Sequence, residues 1–105
     1  MILVDVNLLV YAWDRGAALH EAAVQWLDGK LSGSVRVGLP WECLLGFTRV
    51  VTNPRIYVIR LGGGAKLIPD AHLAALAIEH GLDLCSTGGD FARFDGLRWV
   101  NPLSL

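Results

Sequence analysis

Charged side chains are scarce in this sequence. They make up 18% of its 105 residues, and nine basic residues against ten acidic ones give a formal net charge of −1. That balance argues against non-specific nucleic-acid binding by the whole surface and leaves open only a local basic patch. Hydrophobic residues reach 53%, with a mean hydropathy of +0.45. We therefore expect one compact domain whose apolar surface is partly covered by a partner chain or a second copy.

Cysteines and long apolar runs are also lacking. The two cysteines, Cys43 and Cys85, stand in apolar sequence, which suits buried free thiols better than a disulfide framework. No apolar run approaches the length of a membrane span, and Asp5 interrupts the N-terminus before the pattern of a signal peptide can develop. We expect a cytoplasmic protein.

The first seven residues carry the main functional signal. Ile2, Leu3 and Val4 form an apolar run too short for a helix, and Asp5 follows where a buried strand should end. In open α/β sheets the ligand crevice lies beyond the carboxyl ends of the strands, so Asp5 is placed for chemistry. The alternative is that Asp5 only caps the helix that follows it.

Strands and helices are predicted to alternate along the chain. Apolar residues at intervals of three and four predict an amphipathic helix over 17–31, and the Pro69-Asp70 pair opens the clearest helix, which Gly81 ends. The other predicted elements are a strand at 1–4, a helix at 7–13, a strand at 35–39, a helix at 41–52, a strand at 82–87 and an edge strand near Trp99. This order predicts a three-layer α/β/α fold with a mainly parallel sheet of four or five strands.

Four acidic residues are predicted to meet at one edge of that sheet. Asp5 and Asp90 follow strands, while Glu42 and Asp70 begin helices, where the alternative is simple stabilisation of the helix start. Carboxylates that converge repel one another unless a cation neutralises them. Hard oxygen ligands with open positions suit Mg²⁺ or Mn²⁺, and such an ion supports attack of water on a phosphodiester. The four acids therefore predict metal-assisted phosphodiester hydrolysis.

Four stretches of the chain also carry a recognisable pattern, which covers nearly everything except about residues 57–66. They are Leu3–Ala12, Leu39–Glu42 continuing through Arg49 to Thr52–Arg55, Pro69–Ala77, and Ser86–Thr87 with Asp90–Phe94. Together they resemble the PIN-domain toxins of the VapC type, which are endoribonucleases of bacterial toxin-antitoxin pairs.

The resemblance implies a PIN-like domain over residues 1–105. It makes Asp5, Asp70 and Asp90 ligands of Mg²⁺ or Mn²⁺, with Asn7 supporting Asp5. It further implies an RNA substrate, a VapB-like antitoxin and, as is usual in the family, a homodimer. The candidates for RNA contacts are Asn7, Arg49, Arg55 and Arg93, and the alternative for the arginines is a solvated surface position.

Three departures from the family pattern stand out. Gly46 occupies the position in the third helix where members often carry an acid, so that Glu42, one turn earlier, would have to replace it. Gly88 stands where members commonly have an aspartate. Only 13 residues separate Arg55 from Pro69, where members usually insert a helical hairpin.

The shortened middle supports two further hypotheses. One is a truncated, catalytically weak PIN fold that acts as an interaction module. The other is a homodimer or higher oligomer, swapped about a hinge at Gly62–Gly64, which covers the apolar surface left by the missing hairpin. A receiver-like domain phosphorylated on aspartate is disfavoured, because it would be expected to carry a lysine on a late strand, and Lys30 and Lys66 lie elsewhere.

Overall fold

Strands and helices alternate along the part of the chain that the computed structural model describes, residues 1–52 and 70–103. The strands are β1 (Ile2–Val4), β2 (Val37–Gly38), β3 (Asp83–Cys85) and β4 (Arg98–Val100). The helices are α1 (Val6–Trp13), α2 (His20–Ser32), α3 (Trp41–Thr52) and α4 (Asp70–His80), and a 3-10 helix covers Gly89–Arg93. None of the described helices has the length and apolar character needed to cross a bilayer.

The strands form one parallel sheet in the order β2-β1-β3-β4. In register, Val4 of β1 lies beside Cys85 of β3, and Leu3 lies beside Gly38 of β2. Because β1 lies between β2 and β3, the segment that follows β1 has the segments that follow β2 and β3 on its two sides. The predicted parallel α/β sheet is confirmed.

Both faces of the sheet are buried, as the apolar run of β1 requires. Leu3 and Leu84 point to one side, where they pack with Val50 of α3, Leu73 of α4 and Phe91 of the 3-10 helix. Alternate strand residues point to the other side, where the core consists of Ile2, Val4, Leu8 and Cys85, with Trp26 of α2 and Leu103 packed against it. The result is the expected arrangement of helices on both sides of a sheet.

Local chemistry sets where two helices begin and end. Asp5 is the N-cap of α1, and its Oδ1 accepts a hydrogen bond from the Val6 N–H at 2.7 Å. Asp5 therefore caps α1, and its further role in chemistry stays a prediction. Helix α4 ends because Gly81 adopts a left-handed conformation with φ of 65° and the Leu82 N–H turns back to the Ala77 carbonyl at 2.8 Å.

Some predicted boundaries differ from the observed ones. Helix α2 begins at His20 rather than at residue 17, because a turn precedes it in which the Ala17 N–H donates to the Asp14 carbonyl. Strand β2 is two residues long rather than five. The predicted hinge at Gly62–Gly64 lies outside the described residues.

The core position of Leu84 gives a test of the fold. Leu84 is fully buried between β1 and β4, so Leu84→Ala should lower the free energy of unfolding by about 2–5 kcal/mol through lost contacts and a residual cavity. Ile78→Ala is the control, since Ile78 is 46% exposed on α4 and its truncation should cost under about 1 kcal/mol. Urea unfolding measures both changes, and equal losses would contradict this packing.

Candidate active site

Asp5 lies at the carboxyl edge of the sheet, immediately after β1. Its backbone N–H donates to the Cys85 carbonyl at 3.0 Å, which extends the β1–β3 ladder by one residue. Its side chain is 8% exposed. The two carboxylate oxygens have different partners, because Oδ1 accepts the Val6 N–H and Oδ2 accepts the Ser86 hydroxyl, each at 2.7 Å. The carboxylate is therefore fixed in orientation before any ligand arrives.

Ser86, which holds Asp5, is itself fixed at every polar atom. Its N–H donates to the Val100 carbonyl and its carbonyl accepts the indole N–H of Trp99, both at 3.0 Å. Its hydroxyl oxygen also accepts the Gly88 N–H at 3.0 Å. Ser86 has no exposed surface. Sequence reasoning gave Ser86 no role of its own, although a polar residue directly after a strand beside β1 was the available signal.

Asn7 is the second residue of α1 and lies beside the same edge. Its side-chain amide donates to the Thr87 hydroxyl at 2.9 Å. Its carbonyl oxygen, Oδ1, is buried and has no hydrogen-bond partner among the described residues. A buried acceptor without a partner costs about 1–3 kcal/mol, so this oxygen is suited to a water or a cation.

Asp70 is the first residue of α4 and is 7% exposed. Because α4 leads directly into β3, its first turn lies at the carboxyl edge of the sheet, as Asp5 does. Asp70 Oδ2 is 4.0 Å from Nη2 of Arg93 in the 3-10 helix. The Arg93 guanidinium also lies over the Phe94 ring, 4.9 Å from its centroid. The positive charge of Arg93, which is mostly exposed, thus lies beside the buried carboxylate of Asp70.

The other predicted acids are placed differently. Asp90 is exposed in the 3-10 helix. Glu42 is directed toward α4, where its Oε1 accepts a hydrogen bond from His72 Nε2 at 3.2 Å. Across residues 1–52 and 70–103, no three His, Cys, Asp or Glu side chains are grouped closely enough to hold a metal ion. The expected convergence of four acids is therefore absent from the described residues, and a metal role for Asp90 stays a prediction.

The first turn of α3 contains two groups whose pKa values are shifted, Glu42 and Cys43. Hydrogen bonds from its own backbone N–H and from His72 lower the pKa of Glu42, which is therefore ionised at neutral pH. Burial, and after it the negative charges of Asp5 and Glu42, raise the pKa of the Cys43 thiol to about 12. Cys43 thus stays a neutral buried thiol, as predicted, and it belongs to the same core cluster as Val6, the residue that follows Asp5.

The remaining predicted residues divide between described and undescribed segments. Arg49 is exposed in the last turn of α3, and Arg55 lies outside the described residues. Gly46 is buried within α3. Gly88 is the N-cap of the 3-10 helix and supplies no side-chain cap there.

Comparison with known proteins identifies the family. A scan against protein-family models finds no match. Ribonuclease VapC37 of Mycobacterium tuberculosis is 35% identical, over 100% of this chain and 99% of VapC37. This chain belongs to the VapC family of PIN-domain toxins. Ribonuclease VapC33 of M. tuberculosis is 29% identical over 98% of this chain and 99% of the relative, and VapC ribonuclease Mb2897 of Mycobacterium bovis is 32% identical over 98% and 96%.

The VapC alignment also bears on the short middle of the chain. It runs over 143 positions, which is 38 more than the 105 residues present here, although nearly all of VapC37 is covered. This VapC chain therefore lacks internal positions that VapC37 has. The predicted location of the shortening, between Arg55 and Pro69, lies outside the described residues and stays a prediction.

The cation that a VapC-type site implies can be compared with the donors at this edge. Mg²⁺ is commonly held by one or two carboxylates, with waters and substrate phosphate in the remaining positions. Asp5 and Asp70 are two buried carboxylates at the same edge, and Asn7 Oδ1 is a neutral oxygen without a hydrogen-bond partner in residues 1–52 and 70–103. This donor set fits a hard divalent cation, with fewer carboxylates than the sequence predicted.

The hydroxyl of Ser86 offers a direct test of how the site is held. Ser86→Ala leaves Asp5 Oδ2 without its buried donor and should lower the free energy of unfolding by about 1–3 kcal/mol. Ser34→Ala, in the exposed segment before β2, is the matched control and should change it by less than about 0.5 kcal/mol. Chemical denaturation compares the two. A Ser86→Ala protein as stable as the control would show that the hydrogen bond does not hold Asp5.

Proposed function

We propose that this chain is a divalent-cation-dependent endoribonuclease toxin that hydrolyses RNA phosphodiester bonds at the edge formed by Asp5 and Asp70. The observation that carries the proposal is the fixed, buried carboxylate of Asp5, two residues before the buried Asn7 Oδ1, which has no hydrogen-bond partner among the described residues. The names of the relatives support the reaction class, since VapC37 and VapC33 are ribonucleases.

The residues at this edge would have different roles in the reaction. Asp5, Asp70 and the Asn7 carbonyl oxygen would hold Mg²⁺ or Mn²⁺, which when bound stabilises charge on the phosphate and lowers the pKa of its water. Ser86 and the Val6 N–H keep both oxygens of Asp5 oriented, so little reorganisation is needed when a ligand arrives. The Arg93 guanidinium, beside Asp70, would bind a phosphate oxygen of the RNA.

We propose two kinds of macromolecular partner for this chain. One is a VapB-like antitoxin, which would cover apolar surface and keep the nuclease inactive. The other is a second copy of the chain, in a homodimer or higher oligomer. Both are supported by large apolar side chains that the described surface leaves exposed, including Trp13, Leu31, Trp41 and Leu45. The swapped form depends on the hinge at Gly62–Gly64, which lies outside the described residues.

Asp5→Asn tests the reaction class. It keeps the helix cap but removes the negative charge, so cleavage of a fluorogenic RNA in Mn²⁺ should fall to background while the fold persists. Asp28→Asn, an exposed aspartate on α2, is the control and should cleave as the unaltered protein does. Cleavage by the Asp5→Asn protein at the unaltered rate would overturn the assignment of Asp5.

Arg93→Ala tests the proposed phosphate contact. Loss of one cationic contact should weaken RNA binding and reduce the slope of log affinity against log salt by about 0.7 for a single strand. Arg15→Ala, in the exposed turn after α1, removes the same charge away from the site and should leave both unchanged. The salt titration is run in EDTA to prevent cleavage. Equal slopes for the two variants would remove Arg93 from the RNA-binding surface.

A second candidate function is an inactive PIN-like interaction module. It is favoured by the absence of a three-carboxylate cluster from the described residues and by the 38 aligned positions that this chain lacks. Calorimetric titration with Mn²⁺ separates the two candidates. A single site that Asp70→Asn abolishes would support the nuclease, and no detectable site would support the module.

A further inference from the structure

The segment that follows β3 has two consecutive hydroxyl side chains, Ser86 and Thr87. Each of them bonds to a polar side chain at the start of α1. The Ser86 hydroxyl donates to Asp5 Oδ2 at 2.7 Å, and the Thr87 hydroxyl accepts a hydrogen bond from Asn7 Nδ2 at 2.9 Å. Two neighbouring residues of one segment therefore hold Asp5 and Asn7, which are two residues apart.

The bond to Thr87 engages the amino end of the Asn7 side chain. A side-chain amide has a donor end, the NH₂ group, and an acceptor end, the carbonyl oxygen. The donor end is directed at Thr87, whereas Oδ1 is buried and has no hydrogen-bond partner among residues 1–52 and 70–103. Because the amide is planar, a bond that holds Nδ2 also restricts the direction in which Oδ1 points.

Partial burial strengthens this restriction. The bond between Asn7 and Thr87 is partly shielded from solvent, and the two residues are 80 positions apart in the chain. A shielded donor without an acceptor is unfavourable, so removal of the Thr87 hydroxyl would favour other orientations of the amide. In those orientations the carbonyl oxygen no longer faces the same point.

We propose that Thr87 is a positioning residue for the cation site, which accepts the Asn7 amide hydrogen while Asn7 Oδ1 faces the divalent ion. Thr87 acts through Asn7 and does not touch the ion. The inference rests on the proposed function and adds to it a residue outside the donor set. Replacement of a residue that holds a metal ligand in this way commonly weakens metal binding about 10- to 100-fold.

A purely structural role for the bond explains less. The segments that follow β1 and β3 are already joined by the Asp5 N–H, which donates to the Cys85 carbonyl at 3.0 Å, and by the hydrogen bond from Ser86 to Asp5. One more neutral hydrogen bond adds little to that connection. An amide with only a structural role would also be expected to have both of its ends satisfied, since buried polar atoms usually are.

The test is a calorimetric titration with Mn²⁺ of variants that each change one hydroxyl. Thr87→Val keeps the shape of the side chain and should raise the dissociation constant about 10- to 100-fold. Thr87→Ser keeps the hydroxyl and should bind Mn²⁺ as the unaltered protein does. Thr48→Val is the matched control, because Thr48 is exposed on α3, where its hydroxyl donates to the Leu44 carbonyl, and its loss should leave the affinity unchanged.

A double-mutant cycle separates positioning from a general loss of structure. If Thr87 acts through Asn7, Thr87→Val should cause no further loss of Mn²⁺ affinity in a protein that already carries Asn7→Ala. Asp5 and Asp70 remain in that background and keep the binding measurable. The same loss in both backgrounds, or a Thr87→Val protein that binds Mn²⁺ as tightly as the unaltered one, would overturn the proposal and leave the ribonuclease function standing.

A measurement on the unaltered protein covers the case in which Thr87→Val fails to fold. Saturation with Mg²⁺ should shift the side-chain amide signal of Asn7 in an NMR spectrum, while that of Asn101, whose Oδ1 accepts the Leu103 N–H, should stay in place. An Asn7 signal that Mg²⁺ leaves in place would contradict the proposal. If the unaltered protein bound neither Mg²⁺ nor Mn²⁺, the proposed function would fail together with it.

Discussion

The hydroxyl of Ser86 donates a hydrogen bond of 2.7 Å to the buried carboxylate of Asp5, which lies 81 residues earlier in the chain. This contact joins the two chain segments that leave the neighbouring strands β1 and β3. A hydrogen bond to a charged group contributes about 1.5–3 kcal/mol, and leaving a buried charge without one costs more. The position of the candidate active site follows from it, because the bond fixes both the carboxylate and the segment that continues into the 3-10 helix.

The parallel sheet makes that contact available. Because β1 lies between β2 and β3, the segment after it has one neighbour on each side. On the β3 side are Ser86 and the 3-10 helix, whose Arg93 reaches Asp70. On the β2 side is the start of α3, where Glu42 is hydrogen-bonded to His72 of α4. The proposed cation site thus lies at the end of a strand that has a neighbouring strand on each side.

Much of this arrangement could be predicted from local sequence. An apolar run that stops at Asp5 predicts a buried strand with a terminal carboxylate, and a proline followed by Asp70 and strong helix formers predicts α4. The alternation of strands and helices predicts the parallel sheet. Each of these signals involves residues that are adjacent or one turn apart, where the periods of strands and helices determine which side chains share a face.

The partners of the acidic side chains could not be predicted in the same way. The bonds from Ser86 to Asp5 and from His72 to Glu42 span 81 and 30 residues, and they depend on how helices pack on the sheet. For that reason Glu42 was expected at a four-acid cluster, whereas packing turns it toward α4. Sequence also overstated β2, since alternation at 35–39 predicts five strand residues and only Val37 and Gly38 pair with β1.

The central claim is that Asp5, Asp70 and the Asn7 carbonyl oxygen hold one divalent cation. The most direct test is a crystal structure of the Mn²⁺-soaked protein with anomalous diffraction data, which locates the metal independently of activity. We predict one strong anomalous peak at coordination distance from Asp5 and Asp70, with Asn7 Oδ1 as a ligand or bridged by one water. A site without a peak, or a peak at the Glu42–His72 pair alone, would contradict it.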